Sequence, residues 1–205
     1  TRAGLSPESG VPTYRGAGGI SREYNYQDYA CQRAFDRDPA KVLDFHELRR
    51  AKVLACVPHA GHAHVRAMQS LHPGVQLVTQ NIDGLLQRAG ISVAAELHGS
   101  LWRLRCPVHG IRDDRAADVF VHRRCPDCVP ATAPWLRPDI TWFEDAVNAD
   151  VFEHAAMLVD DAELFVGIGT SGAVWPAARF AERARRRGAR MVELNPEDNE
   201  ASSLY

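Results

Sequence analysis

The chain has 205 residues, 45% of them hydrophobic and 24% charged, with a formal net charge of −2 at pH 7. That size and balance suit one soluble domain able to bury a core. The near-neutral charge gives no electrostatic reason to expect a nucleic acid or an anionic membrane as partner, and no apolar run reaches membrane-spanning length.

The chain opens on TRAGLSPESGVPTYRG, a Gly- and Ser-rich run that ends in Pro, an aromatic and Arg. Ala3-Gly4-Leu5-Ser6 has the composition of a tight turn whose backbone N–H groups can approach a diphosphate, and it reads equally as an ordinary turn. Arg15 adds a charge able to fork onto a phosphate. Residues 20–73 show no strand pattern and read as helix and loop; within them, 41–53 gathers Val42, Leu43, Phe45 and Leu48 on one helical face. Residues 75–81 run from apolar to polar, as a buried parallel strand does at its carboxyl end, where open α/β sheets bind ligands. TQNIDG puts Gln80, Asn81 and Asp83 at that strand end, with Asp83 also a candidate helix cap. His98, in ELHGS, follows shortly after.

Residues 104–130 are polar and carry Cys106-Pro-Val-His109 and Cys125-Pro-Asp-Cys128. Each pair sets two ligands on one tight knuckle, and four protein ligands leave no open position, the pattern of a structural zinc. His122 is a rival fourth ligand, whereas the isolated Cys31 and Cys56 read as plain buried thiols. An amphipathic helix is expected over 150–159 and a second strand over 163–171, ending in Gly169-Thr170-Ser171. A helix over 176–187 has Pro in its first turn, cations at its C-terminal end that complement the dipole, and Gly188 as its cap. A third strand over 190–197 ends in Asn195-Pro-Glu197. Alternating strands and helices predict an α/β fold, a Rossmann-like doubly wound parallel sheet. The reading is one domain in which 1–19, 74–103 and 131–205 build the sheet part, 20–73 a helical module and 104–130 a zinc-binding module.

Together, AGLSPESGVPTYRG, TQNIDGLLQRAG, ELHGSLW, the paired knuckles, LRPDITWFED, VGIGTS and ELNPE resemble the sirtuin family in order and spacing over almost the whole chain. PTYRGAGG and the VWPAA stretch look most like the class III branch, whose members remove malonyl, succinyl and glutaryl groups from lysine. The resemblance implies an NAD-dependent protein-lysine deacylase that consumes NAD, passes the acyl group to ADP-ribose and releases nicotinamide. It implies one structural zinc, acylated-lysine proteins or peptides as partners and a cytoplasmic location. A monomer is compatible with it, and a sheet strand is expected before Thr1. A mono-ADP-ribosyltransferase and a non-catalytic NAD or ADP-ribose sensor are the other readings of the same scaffold.

Residue by residue, the resemblance implies that Ala3, Gly4 and Ser6, with Tyr14 and Arg15, hold the cofactor's phosphates and reactive ribose. Gln80, Asn81 and Asp83 match the nicotinamide and ribose pocket, and Gly169, Thr170, Ser171, Asn195 and Glu197 the adenosine side. His98 matches the catalytic base, with Asn81 as its catalytic companion. Thr141-Trp142-Phe143 resembles the strand that pairs with the substrate peptide. The Tyr-x-x-Arg pair that reads an acidic acyl group falls on His46 and Arg49, three apart on one helix face. Tyr26 stands where a small Ala widens the acyl pocket, so its ring is expected to shorten it. The chain departs from the family pattern at four positions: Arg2 for the first Gly of Gly-Ala-Gly, Glu144 for the Gly of Trp-Phe-Gly-Glu, His59 for a common Asn, and His109 for the second zinc Cys.

Overall fold

Local chemistry sets the helix starts. The computed structural model describes residues 1–11, 24–114, 117–172, 174–199 and 201–205. Short helices α1 (Tyr26–Tyr29) and α2 (Gln32–Arg37) lead into α3 (Pro39–Leu54). Pro39 opens α3 where a missing N–H costs nothing, and the Asp38 carboxylate accepts from Lys41 N at 3.0 Å. Next, α4 (Ala60–Leu71) starts on His59, whose Nδ1 accepts from Gly61 N at 2.9 Å while its own N–H donates to His62 Nδ1 at 3.3 Å. Imidazole thus does the capping task that an Asn amide performs, which accounts for one of the four departures.

The chain then runs β1 (Val78–Thr79), α5 (Leu85–Arg88), β2 (Ala95–Glu96), β3 (Gly99–Cys106), β4 (Gly110–Asp113), β5 (Arg137–Ile140), α6 (Ala149–Asp160), β6 (Leu164–Ile168), α7 (Arg179–Arg186) and β7 (Arg190–Leu194). Strands β1 and β2 pair in parallel, as do β6 and β7. Thr1 and Arg2 stitch the two pairs together: Thr1 N donates to Val78 O at 2.7 Å, Gln80 N to Thr1 O at 3.0 Å, and Arg2 N to Ile168 O at 3.1 Å. Side chains alternate across the sheet. Val78 and Phe165 pack with α6 and α7 residues such as Ala155, Val159 and Phe180, whereas Leu77 and Ile168 join Val65 of α4 and Leu86 of α5. Helices on both faces make this the doubly wound α/β arrangement expected from the sequence.

A second core lies beside the sheet. Strand β3 pairs antiparallel with both β4 and β5. Leu101, Leu104, Leu136 and Ile140 from this region pack against Phe35, Val42 and Leu43 of the helices, together with Cys31 and the knuckle residues Cys106 and Cys125. Cys31 and Cys56 are free, buried thiols.

Several element bounds differ from the sequence reading. The strand expected over 75–81 pairs only at Val78–Thr79, and that expected over 190–197 stops at Leu194. The helix expected over 176–187 begins at Arg179, because Pro176 sits in a turn ahead of it; Gly188 follows its end with φ +89°, the left-handed geometry of a terminating glycine. Among the described residues, no helix is long and apolar enough to cross a membrane.

Candidate functional site

The ends of β1 and β6 turn toward each other, and glycine decides how closely. Gly4 and Gly169 lie back to back, with Gly4 N donating to Gly169 O at 3.0 Å. A Cβ on Gly4 would fall 2.6 Å from Gly169 Cα, and one on Gly169 would fall 2.5 Å from Leu5 N. Gly169 also holds φ +62°, so neither position accepts a side chain. The loop carrying Ala3 and Ser6 is therefore laid flat on the carboxyl end of the sheet.

Above it opens a cavity of about 1150 Å³, more than the ~300–1000 Å³ of an ordinary small-molecule site. The structure brings Ala3, Gly4, Ser6, Gln80, Asn81, Asp83, His98, Gly169 and Ser171 onto its wall. Arg49, Thr141, Trp142 and Phe143 line the same space. A hydrogen-bond network fixes the polar floor. Ser6 Oγ donates its one proton to Asp83 Oδ2 at 2.8 Å and accepts from Asn81 Nδ2 at 3.0 Å. Asn81 Nδ2 also reaches Arg2 O at 3.1 Å, and Asp83 Oδ1 accepts from Leu85 N at 2.9 Å. Asp83 is thus a floor residue whose carboxylate also holds the first N–H of α5, while Gly84 rather than Asp83 is the N-cap residue. Gln80 Oε1 is buried with no hydrogen-bond partner among the described residues, an acceptor held at the cavity with nothing to accept from.

His98 sits between β2 and β3, held by the Thr141 N–H that donates to its carbonyl at 2.9 Å. The following Gly99, at φ +74°, is forced by backbone proximity: a Cβ there would lie 2.0 Å from Asp139 O. The His98 Nδ1 lies 2.9 Å from Gln80 O. A carbonyl only accepts, so Nδ1 carries the proton and Nε2 keeps its lone pair. Burial pushes the imidazole pKa below its usual value, and the nearby Arg2 charge pushes it the same way; the Gln80 bond opposes them. A neutral imidazole with Nε2 as acceptor is ready to take a proton.

The remaining candidates are placed differently. Thr170 and Asn195 shape the turn behind the wall: Asn195 Nδ2 donates to Thr170 O at 2.8 Å and to Glu193 Oε1 at 2.7 Å. Glu197 is exposed, and Tyr14 and Arg15 lie outside the described residues. Residues 141–143 follow β5 rather than forming part of it. Two expectations need correction. His46 is fully buried and off the cavity wall; its Nε2 accepts from Trp142 Nε1 at 3.1 Å, with the rings stacked 5.8 Å apart. Burial drives its pKa well down, so it carries no charge toward a ligand, and Arg49 alone of the expected pair reaches the cavity. Tyr26 is not on the wall either; it packs on Phe143 at 4.9 Å and acts on the cavity only through that ring. Arg2, Phe152 and Trp175 also line the cavity and were not among the expected site residues. For Trp175 the signal was an exposed aromatic ahead of a proline, and it is 67% exposed.

The knuckles form a separate site. Cys106, His109, Cys125 and Cys128 bring four ligand atoms within 4.8 Å of one another. Cys106 and Cys128 sulfurs are 3.8 Å apart, and His109 Nδ1 lies 3.4–3.8 Å from the three sulfurs. A tetrahedron with Zn–S near 2.3 Å and Zn–N near 2.0 Å has edges of roughly 3.5–3.8 Å, which these four distances approach, so the donor set suits zinc. Val108 N donates to Cys106 Sγ at 3.4 Å, supporting one thiolate from the second shell of ligands. The chain therefore carries a Cys3His zinc-binding group, and the exposed His122 is not part of it.

A family model described as the Sir2 family matches residues 2–176, and the chain belongs to that family. A protein of Aquifex aeolicus named "NAD-dependent protein deacylase" is 34% identical over 204 residues, covering 100% of this chain and 84% of that relative. "NAD-dependent protein deacylase 2" of Pyrobaculum aerophilum is 38% identical over 200 residues, covering 96% of this chain and 78% of its own. Among solved structures, a Sir2 homologue in complex with NAD aligns with a TM-score of 0.86 at 32% identity, over 99% of this chain and 78% of that one.

Proposed function

We propose that this chain is an NAD-dependent protein-lysine deacylase that transfers the acyl group to ADP-ribose, and that it prefers short acidic acyl groups, malonyl or succinyl, over acetyl. The observation that carries the reading is His98, with its Nδ1 proton committed to Gln80 O, on the wall of the same cavity as Ser6, Asn81 and Asp83. The cavity volume, the unpaired Gln80 acceptor and the flat glycine loop fit a dinucleotide. NAD, when bound, supplies an activated ribose carbon from which nicotinamide departs. In this assignment Ala3, Gly4 and Ser6 approach the phosphates, and Gln80, Asn81 and Asp83 orient the nicotinamide end. His98 Nε2 removes a proton from a ribose hydroxyl, a step that needs the neutral imidazole favoured by its burial. Thr141, Trp142 and Phe143 guide the acyl-lysine peptide into the cavity.

Arg49 supports the acidic preference, since a guanidinium fork suits a carboxylate. The test compares kcat/KM on matched acetyl, malonyl, succinyl and glutaryl peptides for wild type, His98→Ala and Arg49→Met. Loss of the positioned base is expected to lower kcat by ~10²-fold or more while NAD still binds. Arg49→Met is expected to cost acidic substrates ~1.5–3 kcal/mol and leave acetyl nearly untouched. Acetyl-lysine as the best wild-type substrate would remove the acidic preference; full activity in His98→Ala would remove the base.

A further inference from the structure

We propose that Arg2, which stands where the family pattern has glycine, is a ligand-binding residue whose guanidinium contacts the diphosphate of the bound dinucleotide, working with Ser171 across the loop. This rests on the reading of the cavity as a dinucleotide site. Replacing a glycine at such a loop raises two physical questions: whether the backbone accepts a side chain, and where that side chain goes. Arg2 has φ −148° and ψ −170°, extended geometry that any residue adopts, so the substitution carries no backbone strain. Its neighbour Gly4 is the position that cannot change, because Gly169 presses against it. The Arg2 main chain is fixed by its N–H to Ile168 O, and its carbonyl accepts from Asn81 Nδ2.

From that anchored start the side chain crosses the loop instead of leaving it. Nη1 donates to Ser171 Oγ at 2.6 Å, and both residues line the cavity. The guanidinium is therefore held at the cavity wall beside the flat loop. Its charge is also felt inside the cavity, since it disfavours the protonated form of His98. A guanidinium offers five donors in a planar fork, the geometry that suits phosphate oxygens. A glycine at this position contributes neither charge nor donors. The consequence is a cofactor affinity with a larger electrostatic share than the loop backbone alone supplies.

The experiment measures binding of ADP-ribose and of adenosine by titration calorimetry, at low and high salt, for wild type, Arg2→Gly and Arg2→Gln. Thermal unfolding of each variant is recorded alongside. Arg2→Gly and Arg2→Gln are expected to bind ADP-ribose about tenfold more weakly, with a shallower salt dependence, and to bind adenosine as wild type does. Gln retains a donor for Ser171 without the charge, so it decides the matter if the glycine variant folds poorly. Wild-type binding of ADP-ribose that both variants match would overturn the Arg2 assignment and leave the dinucleotide site standing. Equal losses for ADP-ribose and adenosine would also overturn it, since a merely structural arginine acts on both. A wild-type protein that binds no ADP-ribose would overturn the site reading itself.

Discussion

Arg50 is a fully buried cation in the second core. Its side chain is fully buried, and its Nε donates to Leu101 O at 2.8 Å while Nη1 donates to Asp114 Oδ2 at 2.7 Å. The guanidinium lies 4.0 Å from the Phe120 ring centre and 5.2 Å from that of Trp102. It thereby joins α3 to β3 and to the segment after β4 that leads into the second knuckle. Burial lowers the Arg50 pKa despite Asp114, so desolvation outweighs the ion pair even when the pair is intact. Asp114→Asn keeps the shape and one acceptor but removes the hydrogen-bonded counter-charge of a buried cation, leaving only Glu47 acting through space. Removing one member of a buried pair costs ~3–5 kcal/mol, and the retained acceptor puts this substitution near the lower end, about 3 kcal/mol. For a domain of this size that corresponds to a fall in Tm of roughly 6–12 °C. Arg50→Met combined with Asp114→Asn is expected to lose less than the sum of the single changes, with a coupling of about 1 kcal/mol or more. Urea unfolding followed by tryptophan fluorescence measures all four corners of the cycle. A loss below about 0.5 kcal/mol for Asp114→Asn, or a coupling of zero, would refute the argument that Asp114 compensates a buried charge.

Stability should also fall as the solution is acidified. His46, His62 and His98 all have pKa values lowered by burial, so the unfolded chain takes up protons near pH 6.5 that the native protein refuses. Their contribution is complete above that pH and declines below it, by up to about 1.4 kcal/mol per pH unit for each histidine. Urea midpoints measured on both sides of neutrality check this, and a flat profile down to pH ~5 would contradict it. At the knuckles, His109→Ala is expected to release the zinc and destabilise the region around β3 and β4, as chelation should, while His122→Ala keeps full metal content. Metal analysis of the two purified variants decides which histidine is the ligand.

How much of this was legible in the sequence depended on the range of the interaction. The zinc group was readable because each knuckle is local, so spacing alone brings two ligands together. Strand β6 was readable as a continuous apolar run. Strand β1 was read too long because its pairing depends on partners far away: Ala95–Glu96 on one side and Thr1 on the other. Strands β3 and β5 escaped notice because the reading sought continuous apolar runs, whereas arginines alternate with apolar residues at the end of GSLWRLRC and Pro138 interrupts the β5 pattern; yet their antiparallel pairing holds the second core. Helical spacing put His46 and Arg49 on one face, which is correct as far as it goes. It could not say that the core edge runs between them, burying the imidazole behind Trp142 and leaving the guanidinium at the cavity.

The same limit separates the two positions where glycine of the family pattern is replaced by a charged residue. In the sequence they are alike. In the structure they are physical opposites. Arg2 occupies extended backbone and meets no conformational penalty. Glu144 is held at φ +76°, the left-handed region that glycine enters freely and other L-residues enter at a cost of ~1–2 kcal/mol. Its carboxylate pairs with Arg33 at 2.6 Å, but both side chains are well exposed, and such pairs contribute only ~0–1 kcal/mol. The ion pair therefore offsets at most part of the strain. The loop after Trp142 retains a turn shaped for glycine while carrying a residue that resists it, and that turn sits on the cavity wall beside Phe143 and Asp145. Strain at this point is held in place by its neighbours: Asp145 is tied to Arg137 and accepts from Trp142 N, and the Arg137 guanidinium covers the Trp142 ring at 3.9 Å. The residues that fix Trp142 at the cavity are thus the ones that hold the strained turn, so wall geometry and turn geometry are a single structural commitment.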